Sequence, residues 1–504
     1  MTLSSTHQQQ PDAIIIGSGM GGLTAAAMLA ADGRRPLVLE AAHTPGGCSS
    51  SYYRKGYIFE SGATTLIGFD RHQPLRLLEE KTGIRIPRQE ISPSMAVHIN
   101  GETITRYKEV GRWIEEASRV FGEPGPQERF WQLSKRVADV VWKVSGRNPF
   151  FPPRTAADWL RLLRNDPRDV WVLPYALRST RDVAVAKGIT NPAFFRFLDE
   201  QLMISSQAPS SETPFLFGAP AITYTNYSNF TVPGGLIEMV NELVRFIESK
   251  GGAVHTKERV EAVKRMADGY RVTTSKGKEY ESDIVVSNIP VWNLPEITDG
   301  EMKAWFETEA ARYSRAWGAI TLGVVTDDLY PDGMPLHHQL HLTDHEKAGL
   351  MNSDSIFVSF SARGDTQRAP AGRRVLNIST HAEPEPWFAL NGRYDEEKEA
   401  VQAAILGLLR DKLPGFREAD VQLAFSATPV TWSNWVNRKK GRVGGIPQSM
   451  NRSLLDWTPA SPPFVGFYLT GDTVYPGQGI PGVTLSGINV YYRIRKDHKK
   501  RTLT

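Results

Sequence analysis

Residues 12–22 read DAIIIGSGMGG, residues 23–32 read LTAAAMLAAD and residues 35–40 read RPLVLE. A β-branched apolar run, a glycine turn, an alanine-rich helix and a second apolar run are the parts of one βαβ unit. Both strands are apolar throughout, as expected of strands buried on both faces of a parallel sheet. The stretch therefore predicts where a parallel α/β sheet begins.

The glycines of this turn have separate tasks. Gly17 permits the tight turn from strand to helix, Gly19 lets the backbone approach a pyrophosphate, and Gly22 lets the helix pack on the strand. The helix N-terminus offers unpaired N–H groups and partial positive charge to phosphates. Glu40, which closes the second strand, is placed to accept hydrogen bonds from a ribose. We therefore predict a dinucleotide site that includes Gly17, Ser18, Gly19, Gly21, Gly22 and Glu40.

Size and composition are those of an ordinary globular protein with room for two domains. The chain has 504 residues, of which 40% are hydrophobic and 23% charged. Its single cysteine, Cys48, excludes internal disulfides and suits a reducing compartment. Met1 to Gln10 is polar, and we expect a disordered tail there with no secretory signal. No run of about 18 apolar residues predicts a membrane-spanning helix.

The net charge of +4 is unevenly distributed. Residues 147–187 carry eight Lys/Arg against four Asp, and residues 493–504 carry six against one. No nucleic-acid recognition motif accompanies this charge, so we expect a membrane surface as the partner and no nucleic acid. Trp and Leu alternate with arginines between Trp159 and Leu177, which is typical of a helix in a membrane interface. An amphipathic helix packed on the protein's own core is the alternative.

A second group of motifs follows Glu40. The chain continues with Gly46-Gly47-Cys48-Ser49, and residues 56–64 read GYIFESGAT. Together with the GxGxxG turn, this set resembles flavin amine oxidases and carotenoid desaturases. The resemblance implies bound FAD, with the Gly-Gly segment close to the flavin. Amine oxidases usually have Arg where this chain has Cys48, which favours the carotenoid branch. The residues implied at the cofactor are Gly46, Gly47, Cys48, Ser49, Ala63 and Thr64.

The most specific motif lies near the C-terminus, where residues 467–483 read FYLTGDTVYPGQGIPGV. Asp472, at the end of an apolar strand, can bond ribityl hydroxyls, and a helix from about Val483 can stabilise negative charge on a reduced flavin. The pattern resembles the C-terminal motif of bacterial phytoene desaturases and carotenoid isomerases. Residues 231–290 resemble the second FAD segment of the family, in which Val260 would hold the adenine. The implied cofactor residues here are Val260, Gly471, Asp472, Gly479 and Ile480.

These motifs predict an α/β fold with a doubly wound, Rossmann-like FAD-binding domain built from discontinuous segments, and an inserted α+β substrate domain. We assign residues 1–105, 225–300 and 420–504 to the FAD-binding domain, and 106–224 and 301–419 to a substrate and membrane-associating domain. Aromatic residues between Thr190 and Phe230 are expected mainly in the core, with some lining a long apolar cavity. No carboxylate accompanies His337, His338 and His341, so we predict a loop or solvated strand and no metal site.

The resemblance implies an FAD-dependent oxidoreductase, peripherally membrane-associated in the cytoplasm, that desaturates a carotenoid or other polyene. Hydride would leave for flavin N5, a proton would leave the neighbouring carbon, and quinone or oxygen would take the electrons. Arg178, in a segment resembling the substrate channel of bacterial phytoene desaturases, is the catalytic candidate. A solvated or membrane-facing charge is the alternative for this arginine.

Other functions stay open. The motifs do not separate desaturation from cis–trans isomerisation or saturation of a polyene on the same flavin. Amine oxidation is disfavoured by Cys48 and by the Pro-Gly-x-Gly-Ile-Pro-Gly loop. A non-enzymatic binder of prenylated GTPases, like the GDP-dissociation inhibitors, is disfavoured by the intact phosphate loop with Glu40 and Asp472. Cys48 is either a small packing residue beside the cofactor or the site of a thioether to the flavin.

Overall fold

The computed structural model describes residues 10–501, so all but Gln10 of the polar tail expected at Met1 to Gln10, and the last three residues, lie outside it. Strand Ala13–Ile16 leads through the glycine turn into helix Met20–Ala31, and the chain returns in strand Pro36–Leu39. Gly17 has φ +88°, which residues with a Cβ rarely adopt. A Cβ on Gly22 would lie 2.5 Å from the Gly17 carbonyl oxygen, so this close packing of helix and turn requires glycine.

The predicted doubly wound fold is confirmed by a five-stranded parallel sheet. Its spatial order is Phe467–Leu469, Val285–Ser287, Ala13–Ile16, Pro36–Leu39 and Ala253–His255. These strands come from three separated parts of the chain. One face packs on helices Met20–Ala31, Ile237–Ser249 and Ile480–Arg501. The other face packs on an antiparallel sheet of strands Val260–Met266, Gly269–Thr274 and Glu279–Ser282.

A seven-stranded mixed sheet forms the second half of the molecule. Its order is Val421–Ala427, Gly318–Asp327, Arg373–Ala382, Ser355–Phe360, His337–His341, Met95–Ile99 and Glu102–Arg106. Strands 95–106 and 421–427 fall almost wholly within the ranges assigned to the FAD-binding domain, yet they pair in this sheet. Strand pairing therefore favours domain boundaries before residue 95 and after residue 427, in place of the predicted boundaries after residues 105 and 419.

Helices cover the seven-stranded sheet and complete the fold. The layer from residue 110 to 222 has a buried aromatic core that contains Trp113, Phe121, Phe130, Trp131, Phe194 and Phe197. The short strands Ser51–Arg54 and Tyr57–Glu60 pair with each other, as do Gln89–Ile91 and Asn229–Thr231. The remaining α-helices are Pro74–Thr82, Val110–Phe121, Pro124–Arg147, Ala156–Leu163, Thr180–Ala186, Pro192–Ser206, Phe215–Ile222, Gly300–Ala311, Pro384–Phe388, Tyr394–Lys412 and Pro429–Trp435.

The prediction of a loop or solvated strand at the histidine run was wrong, because His337, His338 and His341 lie on a strand buried inside the seven-stranded sheet. The Nδ1 atom of His337 is 2.8 Å from Ser359 Oγ, and Nδ1 of His338 is 3.0 Å from His98 Nε2. Burial lowers the pKa of His338 to about 3, so its imidazole is neutral. Within residues 10–501 no group of three or more His, Cys, Asp or Glu side chains is placed to hold a metal ion.

Candidate active site

Two glycine turns lie side by side at the carboxyl ends of the parallel strands. Gly19 and Gly46 form an isolated β-bridge, and the Gly46 N–H donates to the Ser18 carbonyl oxygen at 3.1 Å. A Cβ on Gly47 would lie 3.6 Å from the Gly19 Cα atom, so the two turns are in near contact. The turns together present bare backbone, which is the surface that a pyrophosphate can approach.

The Glu40 carboxylate fixes the first turn. Its Oε2 atom accepts from the Ser18 N–H at 2.8 Å and from the Ser18 hydroxyl at 2.6 Å, and its Oε1 atom accepts from the Ala42 N–H at 2.8 Å. These three hydrogen bonds hold both carboxylate oxygens in place. Glu40 is therefore a rigid acceptor at the end of the second strand, which is the position predicted for contact with a ribose.

Asn288 belongs to the same wall, although it was not predicted. Its Oδ1 atom accepts from the Gly22 N–H at 2.9 Å, and its Nδ2 atom would lie 2.3 Å from a Cβ on Gly19. The side chain thus joins the strand Val285–Ser287 to the glycine turn. A polar residue directly after a buried strand was the available sign of its role, since ligands bind at the carboxyl ends of parallel strands.

The two turns and the ends of the parallel strands enclose a cavity of about 760 Å³, the cofactor cavity. Its walls combine bare glycine backbone, carboxylates at strand ends and the N-terminus of helix Met20–Ala31, and these groups suit FAD. Ser18 and Gly22 do not line the cavity, but they hold its wall in place through their hydrogen bonds to Glu40 and Asn288. Of the predicted cofactor residues, those that line the cavity are Gly17, Gly19, Gly21, Glu40, Gly46, Gly47, Cys48, Ser49, Val260, Gly471 and Asp472.

A second cavity, of about 460 Å³, adjoins the first, and we call it the apolar cavity. It lies between the seven-stranded sheet, the helices 124–147 and 215–222, and the C-terminal loop 475–482. Cys48, Ser49 and Asp472 line both cavities. The four remaining predicted residues, which line the apolar cavity alone, are Ala63, Thr64, Gly479 and Ile480. Much of the rest of its lining is apolar or aromatic: Ile67, Val141, Trp142, Phe217, Pro220, Ala221, Tyr224 and Phe357.

Polar side chains, mostly Ser, Thr and Gln, also line the apolar cavity, and Asp472 and His381 are its titratable members besides Cys48 and the tyrosines. The Thr64 hydroxyl accepts from Ser359 Oγ at 2.8 Å, and Asp472 is paired with Arg438. Burial raises the pKa of the Cys48 thiol, so the thiol is protonated. Burial also lowers the pKa of His381 to about 4, which leaves a neutral imidazole in the wall.

Arg178 lies apart from these residues. Its side chain is on the exposed surface, where Nη2 donates to the Asp182 carbonyl oxygen at 3.3 Å, and it lines neither cavity. The structure therefore brings the predicted cofactor residues together but does not bring the predicted catalytic arginine to them.

Exposed apolar side chains precede and follow Arg178 in the sequence, and we call them the exposed patch. The 3₁₀ segment Pro167–Leu177 and its neighbours direct these side chains to the surface, beside exposed Arg168. Tyr175 packs on Phe215, with ring centroids 5.2 Å apart, so this patch lies one helix away from the apolar cavity. Within residues 10–501, no helix is both long and apolar enough to cross a bilayer. The members of the patch are Trp159, Leu160, Val170, Trp171, Leu173, Leu177 and Val185.

A parallel nucleotide-binding sheet, two glycine turns and an adjoining apolar cavity define the class of FAD-dependent oxidoreductases. The chain belongs to the family of flavin-containing amine oxidoreductases, whose model matches residues 20–494. FAD is accordingly its cofactor, as predicted.

Known proteins resemble this chain in sequence and in fold. The chain is similar to the chloroplastic prolycopene isomerase of Arabidopsis thaliana, with 28% identity over 96% of this chain and 83% of the relative. It is also similar to the zeta-carotene-forming phytoene desaturase of Myxococcus xanthus, with 24% identity over 95% of this chain and 93% of the relative. A crystal structure of putrescine oxidase with bound putrescine shares the fold, with a TM-score of 0.62 and 15% identity over 97% of this chain and 99% of that one.

Proposed function

We propose that this flavoprotein oxidises a long apolar polyene of the carotenoid kind, with desaturation as its reaction. The observation that carries the proposal is an apolar cavity that meets the cofactor cavity at Cys48 and Asp472. A polyene carries no charge or hydrogen-bonding group, so it needs the kind of lining seen there. Relatives named for carotenoid isomerisation and desaturation support this substrate class.

Each part of the site has a role in this reaction. Glu40 and the glycine turns hold the adenine nucleotide, and Asp472 holds the ribityl chain. The bound FAD supplies a hydride acceptor. The apolar cavity excludes water and aligns the polyene. His381 lines the apolar cavity, and we assign it as the acceptor of the proton lost from the neighbouring carbon. Quinone or oxygen would remove the electrons.

Isomerisation is the second candidate. The prolycopene isomerase of Arabidopsis thaliana is more similar in sequence to this chain than is the phytoene desaturase of Myxococcus xanthus. The same two cavities would serve, because a cis–trans change also requires the flavin to lie against the polyene. The lining residues do not distinguish a net transfer of hydride from a transient one.

An absorption spectrum of the FAD-loaded protein, recorded anaerobically before and after addition of candidate carotenes, separates the two reactions. Desaturation requires loss of the oxidised-flavin bands together with a red shift of the polyene absorption. A changed isomer pattern with no net flavin reduction would instead establish isomerisation. A protein that binds FAD but alters no carotene, with bleaching by polyamines instead, would contradict the proposal in favour of amine oxidation.

We further propose that the exposed patch docks on a membrane surface with anionic lipids. Its apolar side chains can enter the interface, while Arg168 and Arg178 lie at the level of the headgroups. Its position one helix from the apolar cavity would let a lipid-dissolved substrate enter without crossing water. We propose this location for Arg178 in place of a catalytic role.

A further inference from the structure

Arg438 is a charged residue in the wall of the cofactor cavity that the function proposed above leaves without a role. It follows helix Pro429–Trp435, and its Nη2 atom is 2.7 Å from Asp472 Oδ2. Its Nε atom donates to the Arg442 carbonyl oxygen. The side chain is 12% exposed, whereas Arg54 and Arg259, which also line this cavity, are exposed residues.

The guanidinium also lies beside Cys48. Burial raises the pKa of this thiol, and the nearby positive charge of Arg438 opposes that effect. For Arg438 itself, burial is the largest single effect and lowers the pKa, but the interactions with Asp472 and Cys48 together outweigh burial and the pKa is raised. Arg438 is therefore a permanent cation next to the position where amine oxidases usually have arginine and this chain has Cys48.

Stability alone is a weak reason for this ion pair. Desolvation of two buried charges offsets much of their mutual attraction, so an apolar pair would serve packing equally well. The hydrogen bonds to Asp472, the Arg442 carbonyl oxygen and the Cys48 side chain leave some of the five guanidinium donors unused. The remaining donors match the geometry of a phosphate group.

We propose that Arg438 binds the pyrophosphate of FAD, as a buried cation in the wall of the cofactor cavity. Arg438 lines the cofactor cavity and not the apolar cavity, and its neighbour Cys48 directly follows the second glycine turn, Gly46-Gly47. Asp472 orients the guanidinium before the cofactor arrives. The inference rests on FAD as the cofactor of the proposed function.

The test is titration of the apoprotein with FAD. We expect Arg438→Met to weaken FAD binding about 10- to 100-fold, the range for loss of a hydrogen bond to a charged group. Arg442→Met is a matched control, because Arg442 is also 12% exposed, lies in the same loop and pairs with Glu385, outside both cavities. The control should bind FAD within about 2-fold of the wild type.

A double-mutant cycle separates direct contact from action through Asp472. Direct contact with the cofactor predicts that Arg438→Met still weakens FAD binding when Asp472→Asn is already present. This double variant also carries no unpaired buried carboxylate, so it keeps the test valid if the single variant fails to fold. The inference is overturned if Arg438→Met binds FAD like the wild type, or if its effect vanishes in the Asp472→Asn background. A wild-type apoprotein that binds no FAD would overturn the cofactor assignment instead.

Discussion

The exposed apolar patch predicts a measurable affinity for membranes. Leu173 and Leu177 are 58% and 81% exposed, and full immersion of a leucine side chain in an apolar phase is worth about 2 kcal/mol. Scaling by the exposed fractions gives about 3 kcal/mol for the two side chains together. The double substitution Leu173→Ser/Leu177→Ser should therefore weaken binding to vesicles about 100-fold.

Co-sedimentation with vesicles of phosphatidylcholine and phosphatidylglycerol measures this affinity. Leu329 and Val465 are 56% and 68% exposed and lie outside the patch, so Leu329→Ser/Val465→Ser removes a similar apolar area elsewhere. If both double variants bind vesicles equally well, the patch is not the docking surface. If the wild type binds no vesicles at low salt, membrane association itself is refuted.

Other predictions concern single side chains. Asn288→Ala removes the acceptor of the Gly22 N–H and should lower the free energy of unfolding by about 1–3 kcal/mol, measured by urea denaturation. Neither ring nitrogen of His341 has a hydrogen-bond partner among the described residues, and burial lowers the pKa of this histidine to about 3. Only the unfolded chain therefore binds this proton between about pH 6.5 and 3, which costs about 1.4 kcal/mol of stability per pH unit as pH falls. His341→Leu should reduce the slope of stability against pH by about 1.4 kcal/mol per pH unit in a series of denaturation curves, while the other buried histidines keep their own contributions. Ala221→Phe should fill the apolar cavity and abolish carotene turnover while flavin absorbance is retained; unchanged turnover would place the substrate elsewhere. His381→Leu should reduce carotene turnover about 100-fold or more without changing FAD affinity, and a normal rate would exclude His381 as the proton acceptor.

The cofactor half of the fold was predictable because its determinants are local in sequence. The strand Ala13–Ile16, its glycine turn and the acidic residue after the next strand lie within 29 residues, from 12 to 40. The glycines of the turn are required sterically, as the φ of +88° at Gly17 shows. Spacing and residue type were therefore sufficient to predict a sheet and a ligand site at its carboxyl end.

Arg438 and Asn288 escaped prediction because their partners are distant in sequence. Arg438 stands in the run Asn437-Arg438-Lys439-Lys440, which has the composition of a solvated loop. Only the return of strand Phe467–Leu469 beside the glycine turn brings Asp472 to it. The prediction for the histidine strand was wrong for a related reason. Its polar composition suggested exposure to solvent, but Ser359 and His98 supply hydrogen-bond partners to two of its imidazole rings inside the sheet.

The C-terminal motif is diagnostic because one short stretch builds both halves of the site. Gly471 and Asp472 end a strand of the parallel sheet and line the cofactor cavity, and Asp472 also faces the apolar cavity. The loop 475–479 and residues 480–482 at the start of helix Ile480–Arg501 then line the apolar cavity alone, and this helix packs back on helix Met20–Ala31. A Cβ on Gly487 would lie 2.4 Å from the Gly21 carbonyl oxygen, so glycine is needed where this helix packs on the first turn of helix Met20–Ala31. A substitution in the motif would therefore disturb the cofactor cavity, the apolar cavity and the core packing together. For this reason the motif is a more specific sign of the site than a glycine turn alone.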